Sequence, residues 1–357
     1  MTPNEGRARR EDGQLPGLSE RIPATAEPIQ IDVVIPVAPK DYDKLAPCIA
    51  SIVQHSRTPI RNVYVVARQE LEHLHLHQVA GKPVIWINEE RYPFAVHDVT
   101  DALVRKGTTH PHGSWYYQQL LKLCVYSAIP DLLDHVLILD ADFHFARGVP
   151  FLTERGEAIL SPGYPFEWQL NTRDYPHKVT HVHARFAGRL VPGWAPRNPF
   201  SGMHHHMVLD RRILDALHAA VEQRRKQPFW KAFLDTVDVE KWNGASEYVL
   251  YFHHALQKHP ERVVTRHLRT CDIIHDSEEP FDAPAAMGRL RETGRYDAVG
   301  CHAFLNLRQR LQTMDYLPAK LKQRLAASGA AAFLLVLEEG VLGVEEYLGS
   351  SELQTSL

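Results

Sequence analysis

The sequence has few cysteines and spaces them far apart: Cys48, Cys124, Cys271 and Cys301 form no CxxC pair and no short metal-ligand spacing. That pattern excludes a zinc finger or ribbon and a dense disulfide framework. Dispersed thiols suit a reduced core, so a cytoplasmic protein is expected. No stretch reaches the roughly 18 apolar residues of a membrane span. The N-terminus sets Arg7, Arg9 and Arg10 beside Glu5, Glu11 and Asp12 and lacks the apolar segment of a secretory signal. No sign of charge prevails either, because 40 Lys and Arg stand against 43 Asp and Glu, a formal net charge of −3. So even a balance excludes a general field for polyanions, and no nucleic-acid partner is expected. There is no internal repeat. What is present, 44% hydrophobic and 23% charged residues over 357 positions, is enough for a large buried core.

Residues 1–28 are polar and carry Pro3, Pro16, Pro23 and Pro28, which reads as a disordered tail. A strand is expected at Ile31–Val37, closed by Pro36 and Pro39, followed by a helix over Leu45–His55 and a strand at Val63–Val66. Val84–Ile87 and His135–Leu139 continue the strand series, with a helix over Trp115–Ile129 ended by Pro130. Strands alternating with helices predict an α/β fold with a mostly parallel sheet flanked by helices, with ligands at the carboxyl ends of its strands. Later helices are expected at Arg211–Arg225 and Ser246–Gln257, and strands at Val263–Thr265 and Asp272–Ile274. Ala326–Leu348, rich in Ala, Leu, Val and Glu, reads as one or two helices broken at Gly340. These elements divide the chain into a tail at 1–28, a catalytic domain at 29–285 and a helical extension at 286–357.

The chemistry centres on Asp140-Ala141-Asp142, which follows the apolar strand directly. In an extended chain alternate side chains share a face, so Asp140 and Asp142 are expected to converge on one hard cation, Mn²⁺ or Mg²⁺. The competing use is an acidic turn that ends the strand. On a helix Gln118 and Lys122 project from one face. His204-His205-His206 precedes the strand-like Met207-Val208-Leu209, where His204 and His206 would share a face. Glu247 opens a helix, where a carboxylate serves the helix dipole and can also act as a general base. His73, His75 and His77 form an HxHxH series, but a connecting helix there spreads them around its axis. Trp86, Trp168, Trp194 and Tyr164 are aromatic faces suited either to the core or to a sugar ring.

The order Val33-Val34-Ile35-Pro36-Val37, a helix with Gln118 and Lys122, then Leu139-Asp140-Ala141-Asp142 resembles the GT-A class of nucleotide-sugar glycosyltransferases. With Trp115-Tyr116-Tyr117-Gln118-Gln119, Ser201-Gly202-Met203-His204-His205-His206-Met207 and Ser246-Glu247-Tyr248, the chain is most similar to a bacterial group of glycosyltransferase-like proteins whose specificities are mostly undefined. The resemblance covers about residues 30–280. It implies donor contacts at Pro36, Val37, Asp41, Gln118, Lys122, Asp140, Ala141 and His204 to His206. Asp41 would accept from the base, unless it caps the next helix. The resemblance also implies a cation on Asp140 and Asp142, completed by a late-strand histidine, for which His275 is the expected residue. Its partners would be a nucleotide-sugar donor, a UDP-sugar favoured, and a carbohydrate or lipid-linked acceptor, the latter compatible with a peripheral position at the inner membrane. The acidic C-terminal segment favours internal packing or a homodimer over an anionic bilayer. A metal-dependent hydrolase stands as the alternative enzyme, although no HExxH spacing occurs, and a non-catalytic nucleotide-sugar-binding protein stands as the third reading.

Overall fold

A computed structural model of the chain describes residues 28–71, 76–166, 182–241, 243–276, 280–304, 319–328 and 332–347. His73, His75, Trp168 and nearly all of the expected N-terminal tail lie outside the described residues. The first half runs β1 (Ile31–Pro36), α1 (Tyr42–His55), β2 (Ile60–Ala67), β3 (Gln78–Val79), β4 (Lys82–Asn88), α2 (Val96–Val104), α3 (Gly113–Leu123), α4 (Val125–Ala128) and β5 (His135–Leu139). It continues with β6 (Phe143–Phe145), β7 (Ala158–Leu160), α5 (Val182–Leu190), β8 (His206–Asp210), α6 (Arg211–Arg225), α7 (Phe229–Thr236) and α8 (Glu247–Lys258). The last part holds β9 (Val263–Thr265), β10 (Thr270–Asp276), α9 (Ala283–Glu292), β11 (Ala298–Phe304), α10 (Ala319–Ser328), β12 (Ala332–Glu338) and β13 (Val341–Glu346).

The central sheet has the order β3-β4-β2-β1-β5-β8. Its four middle strands β4, β2, β1 and β5 run parallel, and the edge strands β3 and β8 run antiparallel to their neighbours. The architecture is therefore mixed α/β, with a mainly parallel sheet flanked by helices. β1 is buried along its whole length, as the continuous run predicts for a strand covered on both faces. Its one charge, Asp32, is fully buried, and its carboxylate accepts from Arg61 Nε at 3.0 Å and from the Leu133 N–H at 2.9 Å. Paired and hydrogen-bonded, a buried carboxylate is tolerated.

A second sheet, β13-β12-β10-β11-β6, stands beside the first and corrects the expectation for the C-terminus. Within Ala326–Leu348 the helix α10 ends at Ser328, and β12 and β13 make an antiparallel hairpin instead of further helix, turned by Glu339 and Gly340 at φ 48° and 82°. Gly340 thus turns a hairpin rather than breaking a helix, since two positive φ values in a row are the requirement of a tight type I′ turn. A short apolar run such as Ala332–Leu337 satisfies a buried strand and a buried helix equally, and pairing with β10 decides it. The boundary expected at 285 also falls inside this sheet, because β10 pairs with β11 at every position from Thr270↔Ala298 to Asp276↔Phe304.

β8 is tied to the rest of the fold at Asp210, the N-cap of α6. Its carboxylate accepts from the Arg212 N–H at 2.8 Å and pairs with Arg262 at 2.6 Å. Burial opposes its charge, but His135 and Arg262 outweigh burial and pull it down to about 2. A carboxylate lowered in the folded state stabilises at pH values above its unfolded pKa, and that contribution fades as pH falls toward 2. Urea unfolding between pH 6 and pH 2.5 should show a loss on the order of 2 kcal/mol attributable to this group. An Asp210→Asn variant whose acid limb is as steep as the parent's would refute it.

Candidate active site

At the end of β5 the chain leaves the central sheet, turns through Asp140-Ala141-Asp142 and enters β6 of the second sheet. The turn is held from three sides. The Asp140 N–H donates to the His205 carbonyl at 2.9 Å, and the Asp142 carbonyl accepts from the Cys301 N–H at 3.1 Å. From α1 the buried Cys48 thiol donates to the Phe143 and Asp140 carbonyls at 3.5 and 3.7 Å. Burial pushes that thiol well up, so Cys48 is a neutral donor beneath the turn.

Across the turn the two carboxylates take different main partners, although Asp140 Oδ2 still lies 3.7 Å from His205 Nδ1. Asp140 faces α3 and α8, where Lys122 Nζ lies 2.7 Å from its Oδ1 and 2.8 Å from Glu247 Oε1. Lys122 also donates to the Tyr248 hydroxyl at 3.0 Å. Only 3% of Lys122 is exposed, so its ammonium is spent between two carboxylates rather than presented freely to a phosphate. Burial disfavours its charge, but Asp140 and Glu247 outweigh burial and hold it well above the usual lysine value. Glu247 sits at the first position of α8, after Ser246, whose Oγ accepts from the Val249 N–H. The expected helix start is realised, and the Lys122 ion pair is a contact that the sequence did not announce.

Asp142 faces the second sheet. Its Oδ2 lies 3.2 Å from His302 Nδ1, and His302 Nε2 lies 3.1 Å from His205 Nε2. Burial works against charge on both partners; the pairing nevertheless holds Asp142 below and His302 well above their ordinary values. Behind the imidazoles stands Asp272, almost fully buried, with Oδ2 3.3 Å from His205 Nε2 and Oδ1 3.8 Å from His302 Nε2. Burial raises its pKa more than His302 lowers it. Among the described residues, Asp142, His205 and His302 are the group whose donor atoms all lie within 4.8 Å of one another. One carboxylate and two imidazoles suit Mn²⁺, Mg²⁺ less well, and Zn²⁺ best. A divalent cation there would take the place of the proton that Asp142 draws to His302.

His275, expected as the late-strand ligand, stands elsewhere. On β10 Asp272 points toward the site, and three residues on His275 points to the opposite face, where it stacks on Phe281 at 4.6 Å. His302 takes the place expected for it. The signal was present in Ala298-Val299-Gly300-Cys301-His302, another apolar run ending in histidine. The register puts Gly300 opposite Asp272, and a Cβ at Gly300 would come within 2.2 Å of Asp272 Oδ1. A Gly300→Ala variant should therefore cost about 1–3 kcal/mol in unfolding experiments through overpacking. By displacing Asp272 it should also lower metal affinity; undiminished Mn²⁺ affinity would show that Asp272 does not support the imidazoles.

The histidine run divides as an extended chain requires. His204 and His206 point to the same side, their ring centroids 4.7 Å apart, and His206 packs among Phe143, Phe145 and Phe151. Burial lowers His206 to about 3. It is a neutral imidazole buried among aromatic rings. His205 alone reaches the carboxylates, while Gly202, at φ 74° and with Phe252 against the position of a Cβ, makes the turn that delivers it.

Two adjoining cavities open on this cluster. The larger, about 1170 Å³ and open to solvent, runs from the end of β1 at Pro36, Val37 and Asp41 past Gln118 to Asp140, Ala141, Asp142, His205 and His302. Asp41 pairs with Lys44 at 2.6 Å, and its side chain makes no cap hydrogen bond to α1. The smaller, about 100 Å³, lies against Gln119, Lys122, His204 and Glu247. Of the aromatic candidates, Tyr164 lines the small cavity, whereas the Trp194 indole donates inward to the Leu250 carbonyl and Trp86 to that of Ala67. Trp115, not singled out from the sequence, lines both cavities.

No protein-family model and no curated protein sequence matches the chain. Among solved structures, mouse xyloside xylosyltransferase 1 is similar at a TM-score of 0.36 and 13% identity, over 67% of this chain and 85% of that one. A likeness so distant assigns no chemistry. No helix among the described residues is long and apolar enough to cross a membrane.

Proposed function

We propose that the protein is a glycosyltransferase that moves a sugar from a nucleotide-diphosphate donor, a UDP-sugar favoured, to the hydroxyl of a carbohydrate or lipid-linked acceptor in bacterial glycan synthesis. The observation that carries this reading is the carboxylate and imidazole cluster beside the carboxyl end of the parallel strand β5, lining a cavity large enough for a nucleotide. Asp142, His205 and His302 would hold Mn²⁺ or Mg²⁺, with Asp140 beside them. Bound there, the cation neutralises charge on the departing diphosphate. Pro36, Val37, Asp41 and Gln118 line the nucleotide end. Glu247 takes the proton of the acceptor hydroxyl as its oxygen bonds to the anomeric carbon and the bond from that carbon to the diphosphate oxygen breaks, with inversion. Lys122 fixes the Glu247 carboxylate and offsets Asp140 during that step.

A metal-dependent hydrolase is favoured by one specific observation, since two histidines and one carboxylate are also what such a zinc site requires. Thermal-shift measurements with nucleotide diphosphates and nucleotide sugars, each with and without Mn²⁺, separate the readings. Stabilisation by a nucleotide diphosphate that requires Mn²⁺, followed by donor turnover, is expected. Stoichiometric zinc that survives dialysis, with no nucleotide response, would replace this reading by the hydrolase. Binding without turnover would leave a non-catalytic nucleotide-sugar-binding protein.

A further inference from the structure

The small cavity differs from the large one in its chemistry. Its ionised lining side chains among the described residues, apart from histidines, are Lys122, Asp140 and Glu247, one positive against two negative. The one ammonium is already shared, at 2.7 Å from Asp140 and 2.8 Å from Glu247, so it has little left to give to an incoming anion. The remaining polar lining is rich in acceptors. Gln119 is 2% exposed, and its Nε2 donates to the Ala245 carbonyl at 3.1 Å, which turns Oε1 away without a hydrogen-bond partner. A buried carbonyl oxygen left unpaired is costly unless a ligand supplies a donor. Tyr164 forms part of the wall, and Trp115, 41% exposed, stands at the rim shared by the two cavities. Aromatic faces beside carboxylate and amide acceptors suit a ring that presents C–H groups on a face and O–H groups at its edge.

We propose that the small cavity is a subsite for an uncharged sugar ring and that it rejects sugars bearing a carboxylate. The inference rests on the donor reading above and deepens it: the large cavity takes the nucleotide, and the small one takes the transferred hexose. The hydroxyls of a neutral hexose donate to the carboxylates, while a uronate brings a third negative charge against Asp140 and Glu247 and carries no donor on its carboxylate. A third negative charge beside these two carboxylates discriminates against the uronate.

The test is calorimetric titration of the whole chain, with Mn²⁺ present, by UDP, UDP-glucose and UDP-glucuronate and by GDP, GDP-mannose and GDP-mannuronate. In the series whose bare diphosphate binds, the hexose conjugate should bind at least as tightly as the diphosphate. The uronate conjugate should bind at least about tenfold more weakly than the hexose. Glu247→Gln should narrow that gap by tightening the uronate relative to the hexose. Equal affinity for hexose and uronate would overturn the subsite assignment and leave the donor reading standing. Failure of both bare diphosphates to bind with Mn²⁺ would overturn the donor reading, and the subsite with it.

Discussion

An Asp142→Ala variant is expected to lose Mn²⁺-dependent binding of nucleotide diphosphates, by roughly 100-fold or more. Even partners that only support a metal ligand cost 10-fold to 100-fold when removed, so a ligand itself should cost at least the upper end of that range. The donor set is small, with one carboxylate among three residues. Without it the cation would face two imidazoles, and hard divalent ions are held poorly when oxygen ligands are lost. The substitution should spare the fold, because it is the Asp142 carbonyl that accepts from Cys301, and alanine keeps that bond. Calorimetry with nucleotide diphosphate and Mn²⁺, alongside a melting curve, reads both quantities. Unchanged affinity in a folded variant would remove Asp142 from the metal site.

Lys122→Met should produce the largest stability loss of any single side chain in the site, about 3–5 kcal/mol. Methionine replaces the stem but not the ammonium. Asp140 and Glu247 then share a buried space with no cation between them, and the Tyr248 hydroxyl loses the donor 3.0 Å away. Breaking one partner of a buried ion cluster costs more than the cluster is worth, because the remaining charges stay desolvated. A Lys122→Met/Glu247→Gln double variant should therefore recover part of the loss, with a coupling of about 1 kcal/mol or more. Urea unfolding of the four species gives the cycle. Strict additivity would mean that Lys122 and Glu247 do not interact in solution.

Local pattern was enough for most of the strands and helices. The run Ile31–Pro36, the strand before Asp140 and the helices at Arg211–Arg225 and Glu247–Lys258 all formed where periodicity and capping place them. The C-terminal hairpin did not, because Ala332–Leu337 is apolar throughout and its state depends on β10, sixty residues earlier in the chain. Within the site, Asp140, Asp142, Gln118, Lys122 and Glu247 were legible from their positions after a strand or along a helix face. His302 was not singled out: it ends an apolar run as His275 does, and only strand register tells which side each faces.

The sequence by itself determined most of the elements, the place of the aspartates at the end of a buried strand, and the alternation that separates His205 from His204 and His206. Those follow from interactions between near neighbours, which composition and period encode. Only the tertiary structure decided which charges meet. It set Lys122 between Asp140 and Glu247, turned Asp142 toward His302, and placed Asp272 behind the imidazoles with Gly300 leaving it room. These contacts join two sheets and two helices whose residues lie up to 160 positions apart in sequence, and side chains at such separations meet only after the strands have paired.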